Sequence, residues 1–408
     1  MSKVVINEST LTAIGDAIRA KTGKSDLLAP GAMPTEIESI EAGGGSGGVE
    51  LPPEAYVITG DASYRFANEG WDWFLQLMSD KLTTKDITAA GYMFQDSSIS
   101  EIPFVLNFNP NNTKHSGNHM FNGCTNLAYI AGIVGYKPED IGNMFSNCQG
   151  LRYLPENFVN NIDWTYFSSQ TGKYNSYADT MFQYCYSLRE IPSELFDKLT
   201  KYTDATGSIY YNGFYYCYAL GELTNLPCYE NATWTSNAFR NTFNQCYRLK
   251  RIVFRTNPDG TPVQVNWKNQ TIDLTKSTGY EFSSYLTTAS DTWSESEAKY
   301  AFERTSFSRN NSGITFDKMI YNQETYERLK DDPDAFVMNG GVDSYKYARY
   351  NRTSAIETIN SLPKTTSTGC TIKFKGAAGS GTDGGAINTL TEEEIAVATA
   401  KGWTVTFA

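Results

Sequence analysis

The sequence predicts an α/β repeat solenoid of short strands and short helical turns, with a separate N-terminal α-helical segment ahead of it. Three observations carry that expectation. A Phe-Cys-Leu pattern recurs at fixed internal offsets through the middle of the chain. Its copies lie 24 to 37 residues apart, the spacing at which one repeat is one supersecondary unit. The first 42 residues lack the pattern, and a glycine run divides them from the rest.

Composition bounds the rest. A chain of 408 residues allows two or three units at about 150 residues each. With 40% hydrophobic and 19% charged residues, disorder throughout is not expected. The 34 Lys+Arg against 45 Asp+Glu leave a net charge of −11, the opposite of a nucleic-acid footprint and a poor match to an anionic membrane. No membrane insertion is expected either. The best apolar run, Leu127 to Val134, contains Gly132 and is far short of the roughly 20 residues a span needs. At the start, Val4-Val5-Ile6 gives way at once to Asn7, Glu8 and Ser9, which is no signal peptide. Synthesis in a cytosol follows as the expectation, with the seven cysteines as buried thiols.

Taken in order, residues 1–42 form a helical attachment or oligomerisation segment. Asn7 or Ser9 caps a helix to about Thr22, with Gly23 just past its end. Leu11, Ile14 and Ile18 make a narrow apolar stripe, and Thr35-x-x-Glu38 has the form of a capping box for a second helix carrying Ile37 and Ile40. Two helices this short cannot bury a core by themselves, so the stripe needs sister copies or another protein. Residues 43–50 are a Gly-rich hinge, and 51–91 are the N-terminal cap of the solenoid.

Residues 92–255 hold the repeats. The phenylalanines are Phe94, Phe121, Phe145, Phe182, Phe214 and Phe243. Three residues after each comes Cys124, Cys148, Cys185, Cys217 or Cys246, with Ser97 in the first copy; Leu and then Ile or Leu follow. Each unit is expected to be a short helical turn ending at Phe, a bend at Cys and a short inward-facing strand. One unit cannot cover its own apolar face, whereas a stack of units builds a continuous core. Parallel side chains one strand spacing apart do not suit disulfide geometry, so the cysteines read as a ladder of small buried thiols. Trp164–Tyr177 reads as residues looped out between units.

After the repeats, 256–350 is an irregular Tyr-rich extension with one helix at Gln323–Leu329. Residues 351–408 are terminal rungs and a C-terminal cap. Within them, Thr353 or Ser354 caps a helix through Ile359, and Thr371–Phe374 is a strand. Thr391-x-x-Glu394 is a capping box for a helix to Lys401 with Gly402 beyond it, and Trp403–Phe407 is the last strand.

The Phe-x-x-Cys-x-x-Leu-x-x-Ile/Leu units resemble the BspA-type leucine-rich repeats over about residues 90–254, a resemblance specific to fold and poor in function. It implies that Phe and Cys pack between units and that the Leu-x-x-Ile segment forms a strand edge. The ends carry a second resemblance. Leu11-Thr-Ala-Ile-Gly-Asp-Ala-Ile-Arg-Ala-Lys-Thr-Gly-Lys24 with Met33-Pro-Thr-Glu-Ile-Glu-Ser-Ile40, and Ile387 to Thr406, are similar to the termini of phage tail and fibre proteins from gut and Gram-positive bacteria. That implies a virion structural protein made in the host cytoplasm, with an attachment segment, a hinge and a displayed repeat region. Its partners would be other virion proteins, itself as a homotrimer or other homo-oligomer, and a host-surface glycan or protein. A head fibre or capsid decoration protein is the alternative. A bacterial surface adhesin is the alternative from another class.

Catalytic and cofactor motifs fail on context. Gly379-Ser-Gly381-Thr-Asp-Gly384 has dinucleotide-loop spacing but opens no helix directly. At Gly23-Lys24-Ser25 the upstream phosphate-loop glycine is Ile18. The nucleophile-elbow spacing at Gly44-x-Ser46-x-Gly48 lies in the hinge, with no strand before it. His115 and His119 have metal-ligand spacing but Gly117 and Asn118 between them oppose a helix, and no third ligand is evident. No cofactor, metal or acid/base pair is expected, and no enzyme. The candidate contact surface is instead the tyrosines around the repeat cysteines: Tyr184, Tyr186, Tyr210, Tyr211, Tyr215, Tyr216 and Tyr218. They vary from copy to copy while the core offsets persist, and rigid amphipathic rings suit recognition. The other reading is that they only shield the core.

Overall fold

Two left-handed residues bracket the phenylalanine of every copy. Counting from that Phe as zero, positions −2 and +2 have positive φ in all six: Asn143 (55°) and Asn147 (62°) around Phe145, Thr180 (53°) and Tyr184 (60°) around Phe182. The chain thus reverses twice within five residues and drives the Phe inward. Asn, Asp and Gly accept this conformation most readily, and they fill six of the twelve places. The segments are paired turns, not the short helical turns expected from sequence. Consecutive units then bond one to one. Tyr92, Phe94 and Asp96 donate their amides to the carbonyls of Asn118, Met120 and Asn122 at 3.0, 2.9 and 2.8 Å, a parallel-ladder register running through turns.

The computed structural model describes residues 57–67, 82–169, 180–199, 210–228, 238–246, 249, 251–275, 294–304, 315–329, 336–339, 342–344, 352–374 and 390–407. The expected helices of 1–42 with Leu11, Ile14, Ile18, Ile37 and Ile40, the hinge 43–50 and the 379–384 loop lie outside the described residues. So does most of the expected Trp164–Tyr177 loop.

The six phenylalanines form one interior row. Ring centroids are 5.5, 5.4, 6.1, 6.2 and 6.2 Å apart from Phe94 through Phe243, and interplanar angles never exceed 16°. Phe66 adds a seventh ring, 5.3 Å from Phe94, with left-handed Tyr64 at its −2 position. Each repeat cysteine is a buried free thiol whose Sγ donates to the carbonyl of the preceding phenylalanine: Cys124 to Phe94 at 2.9 Å, then Cys148 to Phe121, Cys185 to Phe145, Cys217 to Phe182 and Cys246 to Phe214 at 3.0 Å. The thiol therefore pins one unit to the next as well as filling space. Burial raises the thiol pKa of the last four.

The expected leucine-rich-repeat-like solenoid, with one strand per unit in a common sheet, is corrected by the strand pairing. The described residues form a mixed α/β structure whose strands fall into six separate small sheets, mostly parallel, with seven α-helices. β1 (Val57–Asp61) pairs with β2 (Thr83–Ala89), β3 (Glu101–Asn107) with β4 (Tyr129–Val134), and β5 (Glu222–Leu226) with β6 (Arg251–Phe254), all parallel and all with register shifts. The third and fourth copies contribute no strand. Leu154-Pro155 and Ile191-Pro192 stand where the strand would run, but proline alone does not account for its loss, since Ile102-Pro103 of the first copy lies inside paired β3, at a register shift. Short helices follow instead: α1 (Phe158–Asn161), α2 (Thr165–Ser169) and α3 (Ser193–Lys198).

Beyond the repeats, β7 (Gln264–Val265) and β8 (Thr271–Asp273) wait for partners about a hundred residues on. Within 294–344, expected to be irregular, stand α4 (Glu295–Arg304), α5 (Gln323–Leu329) as expected, and a sheet of β9 (Met319–Ile320), β10 (Phe336–Asn339) and β11 (Val342–Ser344). α6 (Arg352–Ser361) then packs on β6, with Thr358 Oγ1 donating to Ile252 O at 2.7 Å and Phe254 N to Ser361 Oγ at 3.0 Å. β12 (Lys364–Thr365) joins β7, and β13 (Cys370–Phe374) lies between β8 and β14 (Trp403–Phe407). α7 (Glu392–Thr399) begins with the expected capping box. Lys401 is buried and donates to Ile359 O at 2.9 Å and to Asn360 O, neutralising the carbonyl end of α6; burial lowers its pKa to about 8. Gly402 is irreplaceable on two counts, a φ of +83° and a Cβ that would fall 2.3 Å from Thr365 O.

Candidate binding surface

The repeat turns bring five of the seven candidate tyrosines together. Tyr184 and Tyr186 stand at +2 and +4 of the fourth copy; Tyr215, Tyr216 and Tyr218 stand at +1, +2 and +4 of the fifth. Because the copies stack in register, equal positions fall side by side. Tyr186 lies 4.7 Å from Tyr218, nearly parallel at 17°, and Tyr184 lies 5.2 Å from Tyr216. Tyr215 packs against the +2 column, 5.5 Å from Tyr184 and 4.3 Å edge-on to Tyr216, and Tyr216 reaches Tyr218 of the +4 column at 5.6 Å. All five are partly exposed, so the patch is anchored on one side and open on the other. Such packing holds amphipathic rings in place before any ligand arrives.

Two of the phenols are held further toward the protonated form by their surroundings. Burial, the Tyr216 hydroxyl and its charge, and Tyr184 push Tyr215 up to about 12. Burial, Tyr184 and Tyr216 likewise raise Tyr186. The patch is a set of ring edges and phenol hydroxyls that can both donate and accept.

The other two candidates separate. Tyr210 is a correction: it is wholly buried, its hydroxyl donates to Pro227 O at 2.8 Å, and its ring lies 4.5 Å from Phe239. It is core and unavailable to a partner. Tyr211, at −3 of the fifth copy, is partly exposed.

Sequence reasoning missed a second aromatic column. At −2 of successive units, Tyr64 stacks on Tyr92 at 4.7 Å and 3°, and Tyr92 on His119 at 4.7 Å and 13°. The signal was the recurrence of Asn at the same offset in later copies, Asn143, Asn212 and Asn241, which marks a left-handed site. The two histidines also part company. His115 is buried, accepts the Lys137 amide on Nδ1 at 2.9 Å and faces Asn109 O with Nε2 at 3.0 Å, a pattern only the neutral Nε2–H ring satisfies. Among the described residues no group of three or more His, Cys, Asp or Glu is placed to hold a metal ion, and no helix is long and apolar enough to cross a membrane.

Set against protein-family models, curated proteins and solved structures, the chain finds no match in any of the three.

Proposed function

We propose that the chain is a structural component of a phage virion, a tail-fibre or receptor-binding protein that acts by attachment and not by catalysis. The tyrosine patch formed by the fourth and fifth copies carries the reading, because two successive units jointly present five positioned rings that neither presents alone. The similarity of both chain ends to phage tail and fibre proteins supports the setting, and the Gly43–Gly48 run supports a hinge between attachment and display. The 1–42 segment docks to other virion proteins and to sister copies through Leu11, Ile14 and Ile18, and several copies on one particle convert weak contacts into avidity.

Immunogold labelling of virions with an antibody against residues 92–254 tests this. Gold at the tail tip is the expected result. Gold on the head moves the protein to a head fibre or decoration role, and unlabelled particles overturn the virion assignment.

A further inference from the structure

Positions +1, +2 and +4 supply the tyrosine patch of the fourth and fifth copies. Across six copies these offsets make eighteen positions in the sequence, of which only Asp96 carries a charge; Gly123 and Ser146 among them are buried. A solvent-facing surface ordinarily has about a quarter to a third charged residues. Here the places are taken by amides, hydroxyls and phenols: Asn147 and Gln149 before the tyrosine patch, Asn244 and Gln245 after it. Asn147, Gln149, Asn244 and Gln245 are all partly exposed. Gln149 Nε2 donates to Asn147 Oδ1 at 2.9 Å, so the amides are already oriented within their unit.

We infer that this strip binds an uncharged glycan, laid along the stack with the five tyrosines at its centre. The inference rests on the binding role proposed above and names its ligand class. Sugar rings offer apolar faces and a rim of hydroxyls. Aromatic edges meet the first, and Asn, Gln and Tyr groups, each able to donate or accept, meet the second. A charged ligand finds no counter-ion on the strip. The ladder also gives the strip a pitch, since Tyr186 and Tyr218 repeat at 4.7 Å. A regular polysaccharide can thus make like contacts with successive units.

Affinity electrophoresis of the full chain through gels containing glucan, mannan, galactan or rhamnan, with heparin as the charged control, provides the test. The expected result is retardation by at least one neutral polysaccharide, unchanged between low and high salt because no ion pair is screened. The diagnostic variant is Tyr184→Asn, Tyr186→Gln, Tyr216→Asn, Tyr218→Gln. It gives the two copies the residues of the third, Asn147 and Gln149, and preserves the left-handed positions. It is expected to melt as a cooperative fold and to lose at least tenfold in retardation. Retardation by heparin alone, by no neutral polysaccharide, or equally for the variant overturns the inference. A protein captured at the strip in place of glycan does so too. The virion assignment stands or falls separately, on the gold labelling.

Discussion

Each unit has a turn half and a strand half, and the two halves treat variation in opposite ways. The turn half keeps its conformation through every copy, with the same two left-handed residues and the same ring in the row, and from the second copy on the same thiol on the preceding phenylalanine's carbonyl. The strand half changes from paired strand to proline-led helix and back. Its charges change as well, and they pair where the chain allows, as in Arg251 with Glu222 (3.6 Å) and Glu357 (2.9 Å) or Arg255 with Asp197 (3.0 Å). The order of the stack is set where rings and thiols meet in the interior. The exposed ends of a unit are then free to differ, as loops on a fixed scaffold are.

The sharpest way to break that contrast is at the row. Phe182→Ala should cost about 3–5 kcal/mol, read as a fall in melting temperature, because its ring is buried between Phe145 and Phe214. A loss as small as that of a surface variant would show that the row does not organise the stack. Cys185→Ala should cost about 0.5–1.5 kcal/mol through the emptied volume and the lost thiol bond to the Phe145 carbonyl, which keeps the Cys148 amide. Cys185→Ser, the residue type the first copy carries at Ser97, should cost less. At the exposed left-handed site Asn241, alanine should cost about 1–2 kcal/mol and glycine distinctly less. Equal effects would remove the conformational explanation.

Acid sharpens the comparison at one bend. Burial lowers the pKa of His115, so the unfolded chain binds the extra proton first. Its contribution is intact above about pH 6.5, the ordinary histidine value, and is lost as pH falls through the depressed folded value. Nearby Asp140, raised by burial to about 6, works the other way: folding favours its proton, and stability on this account rises on acidification from about 6 toward 4. Urea melts of wild type, His115→Gln and Asp140→Asn should therefore show slopes of opposite sign removed by the two variants. The smallest effect belongs to the strand half, where Arg251→Ala should cost under about 1 kcal/mol because the pair is half exposed.

The interior was legible from the sequence wherever chemistry repeats. Phe, Cys and Leu keep fixed offsets because burial selects both type and position, and the Thr391–Glu394 box marked its helix by hydrogen-bonding groups three apart. The left-handed sites were not legible, because the constraint is on backbone angle and is met by Tyr, Thr, His and Gln as well as Asn. The seventh turn, at Phe66, escaped because Glu69 stands where the pattern wants Cys. The loss of the strand in the third and fourth copies was not legible, since Pro155 and Pro192 there match Pro103 of the first copy, which lies inside β3. Of the surface, the clustering of five tyrosines followed from the repeat register. The burial of Tyr210 did not, since it depends on Pro227, a partner no pattern places opposite it.

The thiol ladder also makes the molecule its own clock. Cys124, Cys148, Cys185, Cys217 and Cys246 lie wholly shielded, one in each unit from the second to the sixth, and none is in a disulfide. An alkylating reagent can reach each only after its layer opens. The order in which the five are modified, read by mass spectrometry on native protein, would map which end frays first and where the column holds longest.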